Sequence, residues 1–152
     1  MEMSIFNAIN ASASALTAQR VRMDTVSSNL ANAHSTRARI NEEGEFEPYR
    51  RKVVSLEPKQ ESFRSVLSRE ARKQSIPEGV AISEITEDPE PFKVMYNPQH
   101  PDADEEGYVQ MPNVDPLKEM VDLMGATRSY EANVTALNAS KNMLMKALEI
   151  GR

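Results

Sequence analysis

The sequence predicts a mainly α chain: long N- and C-terminal amphipathic helices, paired as an antiparallel coiled-coil-like bundle, around a small β-rich, proline-rich middle. Three observations carry this reading. All nine prolines of the 152-residue chain lie between Pro48 and Pro116. Proline removes a backbone donor and clashes with the preceding turn, so only the flanks are free to run as long helices. Apolar side chains recur every seven residues in both flanks, as a packed helix seam requires. The charges divide the same way: 34–115 carries 11 basic and 17 acidic residues, against two and two in 1–33 and five and four in 116–152. The expected organisation is one helical domain from 1–36 and 114–152, and a middle region over 37–113 with a flexible loop at about 57–79.

The first helix is expected from about Ser4, a possible N-cap, to Ala33. Its seam is Ile9, Leu16, Met23 and Leu30, with Ile5, Ser12, Gln19, Val26 and Ala33 on the adjacent line. Ala8, Ala11, Ala13, Ala15 and Ala18 sit between, and their small size lets another backbone come close. In the middle, Phe46 to Leu56, Val80 to Ile85 and Phe92 to Tyr96 are strand candidates, the second by its partial period-two alternation. The last helix starts at a strong local signal. Asp115 can cap it and Pro116 suits the first position, where no amide hydrogen is needed. Leu123, Tyr130, Leu137 and Leu144 form its seam, beside Met120, Thr127, Val134, Lys141 and Leu148, and Gly151 lies past its end. At ~1.5 Å per residue the two helices would span roughly 45 and 50 Å, so an elongated molecule is expected.

Composition narrows the function classes. Cysteine is absent, which excludes disulfides, thiolate zinc sites and cysteine nucleophiles. A net charge of −5 argues against a nucleic-acid partner, which calls for a basic face. No apolar stretch approaches the ~20 residues of a membrane span, so no membrane insertion is expected, and the N-terminus lacks the pattern of a cleaved signal peptide. Aromatic residues make up only 5%, with no tryptophan, so a thick core within one chain is not expected.

The motifs argue against catalysis. Asp102, Asp104 and Glu106, with Gly107 after them, imitate the start of a calcium loop, but Asn113 stands where the closing bidentate Glu belongs and Pro112 obstructs the exiting helix. An acidic, solvated turn is the better reading, and no metal or cofactor is expected. His100-Pro101-Asp102 matches the tripeptide of J-domain co-chaperones, but no basic helix precedes it. Two histidines, no phosphate-binding glycine loop and no nucleophile elbow leave no constellation for an enzyme. Met120, Met124, Met143 and Met145 are expected at helix contacts. Arg50-Arg51-Lys52 is expected as an exposed strand edge or a source of salt bridges. Asn29, Asn32 and Asn133 could fix helix register through side-chain hydrogen bonds, or could end or decorate a helix.

Three stretches resemble one family. Ser28-Asn29-Leu30-Ala31-Asn32 is similar to the S-N-L-A-N signature of the flagellar rod and hook axial proteins. Gly107-Tyr108-Val109, followed by Pro112-Asn113-Val114, resembles a G-Y-V-x-x-P-N-V element of one short proximal-rod member of that family and argues against the other short one. Arg128, Tyr130, Glu131, Ala132 and Asn133 match their R-x-Y-E-A-N element. The resemblance implies a structural subunit of the bacterial flagellar basal-body rod, with these motif residues at assembly contacts. It implies export unfolded through the flagellum's type III apparatus, and partners that are other copies of the chain and sibling rod proteins. The rival from the residues alone is a cytosolic helical chaperone or adaptor, which shares the acidity and the amphipathic ends.

Overall fold

The computed structural model describes residues 2–41, 44–59 and 79–150, without the side chains of 2–5 and 150. Helix α1 spans Glu2–Ala31. Six short strands follow: β1 Arg39–Ile40, β2 Phe46–Glu47, β3 Lys52–Pro58, β4 Val80–Glu87, β5 Lys93–Tyr96 and β6 Tyr108–Met111. Helix α2, Pro116–Ile150, closes the chain. The described strands pair as three two-stranded sheets, β1 with β2, β3 with β4 and β5 with β6. The first and last of these are antiparallel. Two terminal helices with small sheets between them is the architecture the proline distribution predicts.

Several details differ from the sequence expectation. Helix α1 already runs at Glu2, so Ser4 lies inside it rather than capping it. It ends at Ala31, two residues early, where the Asn32 side chain donates to the Ser28 carbonyl at 2.9 Å. The strand expected over Phe46 to Leu56 divides into β2 and β3, and β3 continues through Glu57 and Pro58, so the expected loop begins later than 57. Residues 60–78 of that loop, and Gly151, lie outside the described residues. Strand β6 is too short and too mixed for a period-two signal and is specified by pairing with β5. The start of α2 follows the local signal: the Leu117 N–H donates to Asp115 Oδ1 at 3.0 Å, with Pro116 in the first turn.

The chain divides into two compact units, each containing part of both helices. Unit 1 comprises Met1–Val21, Ser55–Glu84 and Ala126–Arg152; unit 2 comprises Arg22–Val54 and Ile85–Gly125. In unit 1 the buried described side chains are those of Ala18, Ala126 and Ser140, while Phe6, Met143, Met145 and Leu148 are exposed. The root of β4 docks on α1, where Ser14 Oγ accepts the Val80 N–H at 3.1 Å. Gly79 there has φ +112°, and a Cβ on it would collide with Ser14 Oγ. In unit 2, Val26, Ala33, Val109 and Val114 are buried together with the polar Thr25, Asn29, Asn113 and Glu119.

All eight seam residues, Ile9, Leu16, Met23, Leu30, Leu123, Tyr130, Leu137 and Leu144, are half-buried. Met120, Met124, Met143 and Met145 are exposed, so they do not fill an interface within the chain.

Candidate functional site

The residues with the most specific surroundings belong to a buried polar cluster in unit 2. Asn29 lies near the end of α1 and is fully buried. Its carboxamide binds the Lys52 peptide twice: Nδ2 donates to the Lys52 carbonyl at 2.9 Å, and Oδ1 accepts the Lys52 N–H at 2.9 Å. A neighbouring strand would meet that peptide in the same two-sided way. The second amide hydrogen reaches Glu119 Oε2 at 3.0 Å, and the Tyr49 hydroxyl donates to Oδ1 at 3.0 Å. Both donors and both lone pairs of the side chain are therefore used, as a buried amide requires.

Glu119, in the first turn of α2, is also fully buried. Its other oxygen accepts from Arg51 Nε at 2.7 Å. Arg51 stands just before β3 and reaches two further carboxylates, Asp88 at 3.0 Å and Asp122 at 3.6 Å. Its backbone N–H donates to Asn113 Oδ1 at 2.7 Å, and its carbonyl accepts the Asp88 N–H at 2.8 Å. Asn113 Nδ2 then donates to the Glu90 carbonyl at 3.0 Å. One connected network thus ties the end of α1, the start of β3, the turn after β4 and the start of α2.

Its electrostatics favour the charged forms. Burial opposes the Arg51 charge, but hydrogen bonds with Glu119 and Asp88 outweigh that cost and hold the guanidinium above its usual pKa. The Asp88 carboxyl is held below the usual range, first by the Glu90 N–H and then by Arg51. Removing one partner from such a group leaves the others desolvated and unanswered.

The G-Y-V-x-x-P-N-V element packs around this network. Gly107 has φ +83°, and a Cβ on it would lie 3.0 Å from Tyr96 and 3.1 Å from Pro98. That turn sets Tyr108 edge-on against Tyr96, with ring centroids 5.3 Å apart. Val109, Pro112, Asn113 and Val114 are buried. In S-N-L-A-N, Asn29 enters the network, Ser28 lies 3.4 Å from the Tyr49 hydroxyl, Leu30 is half-buried and Ala31 exposed. Asn32 bonds locally, to Ser28 and Ser35. In unit 1, Arg128, Glu131 and Ala132 are exposed, Tyr130 is half-buried, and Asn133 donates to its own helix at Ser129. Asn133 therefore decorates its helix rather than fixing a register within the chain.

The acidic turn holds its own ligands. Asp102 accepts from Thr36 at 2.8 Å and pairs with Arg37, which lowers its pKa. Asp104 Oδ1 accepts the N–H groups of Glu106 and Tyr108. Among the described residues no acidic or histidine cluster is arranged to hold a metal ion.

Sequence reasoning singled out Asn29 and Asn113 but not Glu119, Asp88 or Tyr49. An acid in the first turn of a helix is ordinary, so Glu119 carries no distinguishing local signal. Arg51 belongs to a run expected at an exposed edge or as a source of salt bridges, and it is the second that the structure shows. Its side chain is only 13% exposed because its carboxylate partners lie 37 to 71 residues away in sequence.

Comparison with known proteins places this geometry in a family. Residues 9–39 match the flagella basal body rod protein family, and residues 105–150 match the C-terminal region of the flagellar basal body rod FlgEFG proteins. The flagellar basal-body rod protein FlgC of Bacillus subtilis is 63% identical over 152 residues, covering 99% of this chain and 100% of the relative. This chain belongs to the FlgC family of flagellar basal-body rod proteins. The FlgC of Aquifex aeolicus is 41% identical, covering 97% of each chain. That of Borreliella burgdorferi is 38% identical, covering 97% of this chain and 98% of the relative. The chain is accordingly a structural rod subunit of the flagellar basal body, not an enzyme, and it assembles with other rod components. Both family matches contain pieces of the buried network: Asn29 lies in the first, Asn113 and Glu119 in the second. No helix among the described residues is long and apolar enough to cross a membrane.

Proposed function

We propose that this rod subunit joins the axial drive shaft through its terminal helices, with the unit 2 network as the rigid fitting that holds the ends of those helices. The seam rows Ile9, Leu16, Met23 and Leu30 on α1 and Leu123, Tyr130, Leu137 and Leu144 on α2 pair antiparallel, and the outer faces pack on neighbours. Those neighbours are other copies of the chain and sibling rod proteins. Torque passes through many helix contacts. The subunit reaches the site through the flagellar type III export apparatus, unfolded. The motif residues exposed on α2, Arg128, Glu131 and Ala132, serve assembly contacts, and residues 1–36 with 114–152 act as one axial domain around the 37–113 middle.

The observation that carries this reading is the half-buried seam. A row of large apolar residues that stays partly exposed in the single chain gains its remaining burial from assembly, at roughly 25 cal/mol per Å2 of apolar surface covered. The test is complementation of a motility-deficient deletion strain. Leu16→Asp and Leu137→Asp each abolish swimming and rod assembly while the protein is still made. Normal rods with both substitutions would contradict the proposed seam.

A further inference from the structure

In unit 2 a groove of about 460 Å3 runs beside the β5–β6 hairpin. Phe46, which carries the Arg37 guanidinium over its ring at 5.0 Å and is still exposed, and Tyr108 give it an apolar surface, and Glu45, Glu47, Asp102 and Asp104 line it without a lysine or arginine among the lining residues. Arg39 answers Glu47 at 2.8 Å and Arg37 answers Asp102 from the rim. Glu45 and Asp104 have no ion pair among the described residues, and the exposed Glu105 and Glu106 follow Asp104 in the chain. The outward face of the hairpin continues the apolar surface with Val94 and Tyr96, 66% and 64% exposed. Such a surface suits a segment that carries cations beside apolar side chains.

The chain itself contains one segment of that composition. Residues 62–77 hold Arg64, Arg69, Arg72 and Lys73 against a single acid, Glu70, together with Phe63, Val66 and Leu67, inside a middle region that is otherwise strongly acidic. We infer that the acidic, aromatic groove of unit 2 receives residues 62–77 of a second copy of this chain. The apolar side chains of the segment cover Phe46 and Tyr108, and its cations answer Glu45 and Asp104. This contact is heterologous, groove to segment, so each copy that is received offers its own groove to the next. Contacts of that kind build open assemblies rather than closed pairs. The inference rests on the rod-subunit reading and names one of its partner surfaces.

The absence of cysteine from the chain makes the test direct. Two full-length variants, Ser68→Cys and Gln110→Cys, keep every charge and are expressed together in a flagellated strain lacking its own copy. Mild oxidation is expected to give a covalent dimer that neither variant gives alone. Adding Arg69→Glu and Arg72→Glu to the Ser68→Cys chain is expected to lower the dimer about tenfold, equivalent to about 1.4 kcal/mol. Motile cells without a dimer overturn the inference and leave the rod reading intact, since motility reports an assembled rod. A doubly substituted chain that closes on itself without forming dimers, or a cross-link to a different protein, also overturns it. If the variant strain does not swim, NMR of the full-length protein titrated with a synthetic 62–77 peptide decides. Shifts at Phe46, Tyr108 and Gln110 support the inference, and an unchanged spectrum overturns it.

Discussion

Unit 2 and unit 1 use the same two helices, and unit 2 adds large buried polar groups to its apolar core where the described part of unit 1 buries only small side chains. Unit 2 closes on Asn29, Asn113 and Glu119, groups that tolerate few partners and find nearly all of them within the unit. Unit 1 buries two alanines and a serine and leaves Phe6, Met143, Met145 and Leu148 exposed. Small, weakly specific contacts let a helix meet more than one neighbour, whereas a saturated polar network fixes one arrangement. The contrast teaches that unit 2 fixes its arrangement by a polar network internal to the chain, whereas the described part of unit 1 has only small contacts to hold it, although both units leave large apolar side chains exposed.

Substitutions can break that contrast. The largest effect is expected for Glu119→Ala, which leaves Arg51 Nε and one Asn29 donor without a partner in a buried site, while Asp88 still answers the Arg51 charge, and should cost about 3 to 5 kcal/mol for the two unsatisfied donors, read as the loss in urea midpoint followed by circular dichroism. Asn29→Ala leaves the Lys52 peptide and the Tyr49 hydroxyl unanswered, at about 1 to 3 kcal/mol in the same assay. Gly107→Ala forces a left-handed residue with a Cβ against Tyr96 and Pro98, at about 1 to 2 kcal/mol, and should also perturb the Tyr96 and Tyr108 ring signals in NMR.

Acid provides a smaller, graded probe. The folded pKa of Asp88 is depressed, so its contribution is fully present above its unfolded value, near about 3.9, and is lost as pH falls through the lower folded value. Stability measured between pH 5 and pH 2 should therefore fall less steeply in Asp88→Asn than in the parent. The smallest effect on the free chain is expected for Met143→Ser with Leu148→Ser. It should stay within about 0.5 kcal/mol for the monomer, while rod assembly scored by motility falls.

Local signals made part of this legible from sequence. Asp115 and Pro116 specify the start of α2 through neighbours one and two residues away, and the proline-free flanks specify where long helices are possible. Asn29 stood out because an amide in an apolar stretch needs a reason. Glu119, Asp88 and Tyr49 did not stand out, because each acquires its role only when segments 20 to 90 residues apart are brought together. Arg51 illustrates the limit most sharply: in sequence it is one cation in a basic run, and in the fold it is the hub of three carboxylates.

The central claim is that the free subunit is held firmly by the unit 2 network and only loosely in unit 1, and hydrogen exchange of the dilute, purified full-length protein tests it most directly. The account predicts slow exchange at residues 26–33, 51–54 and 109–122 and fast exchange at 6–20 and 130–149. Uniform, strong protection along both helices in the monomer would contradict it.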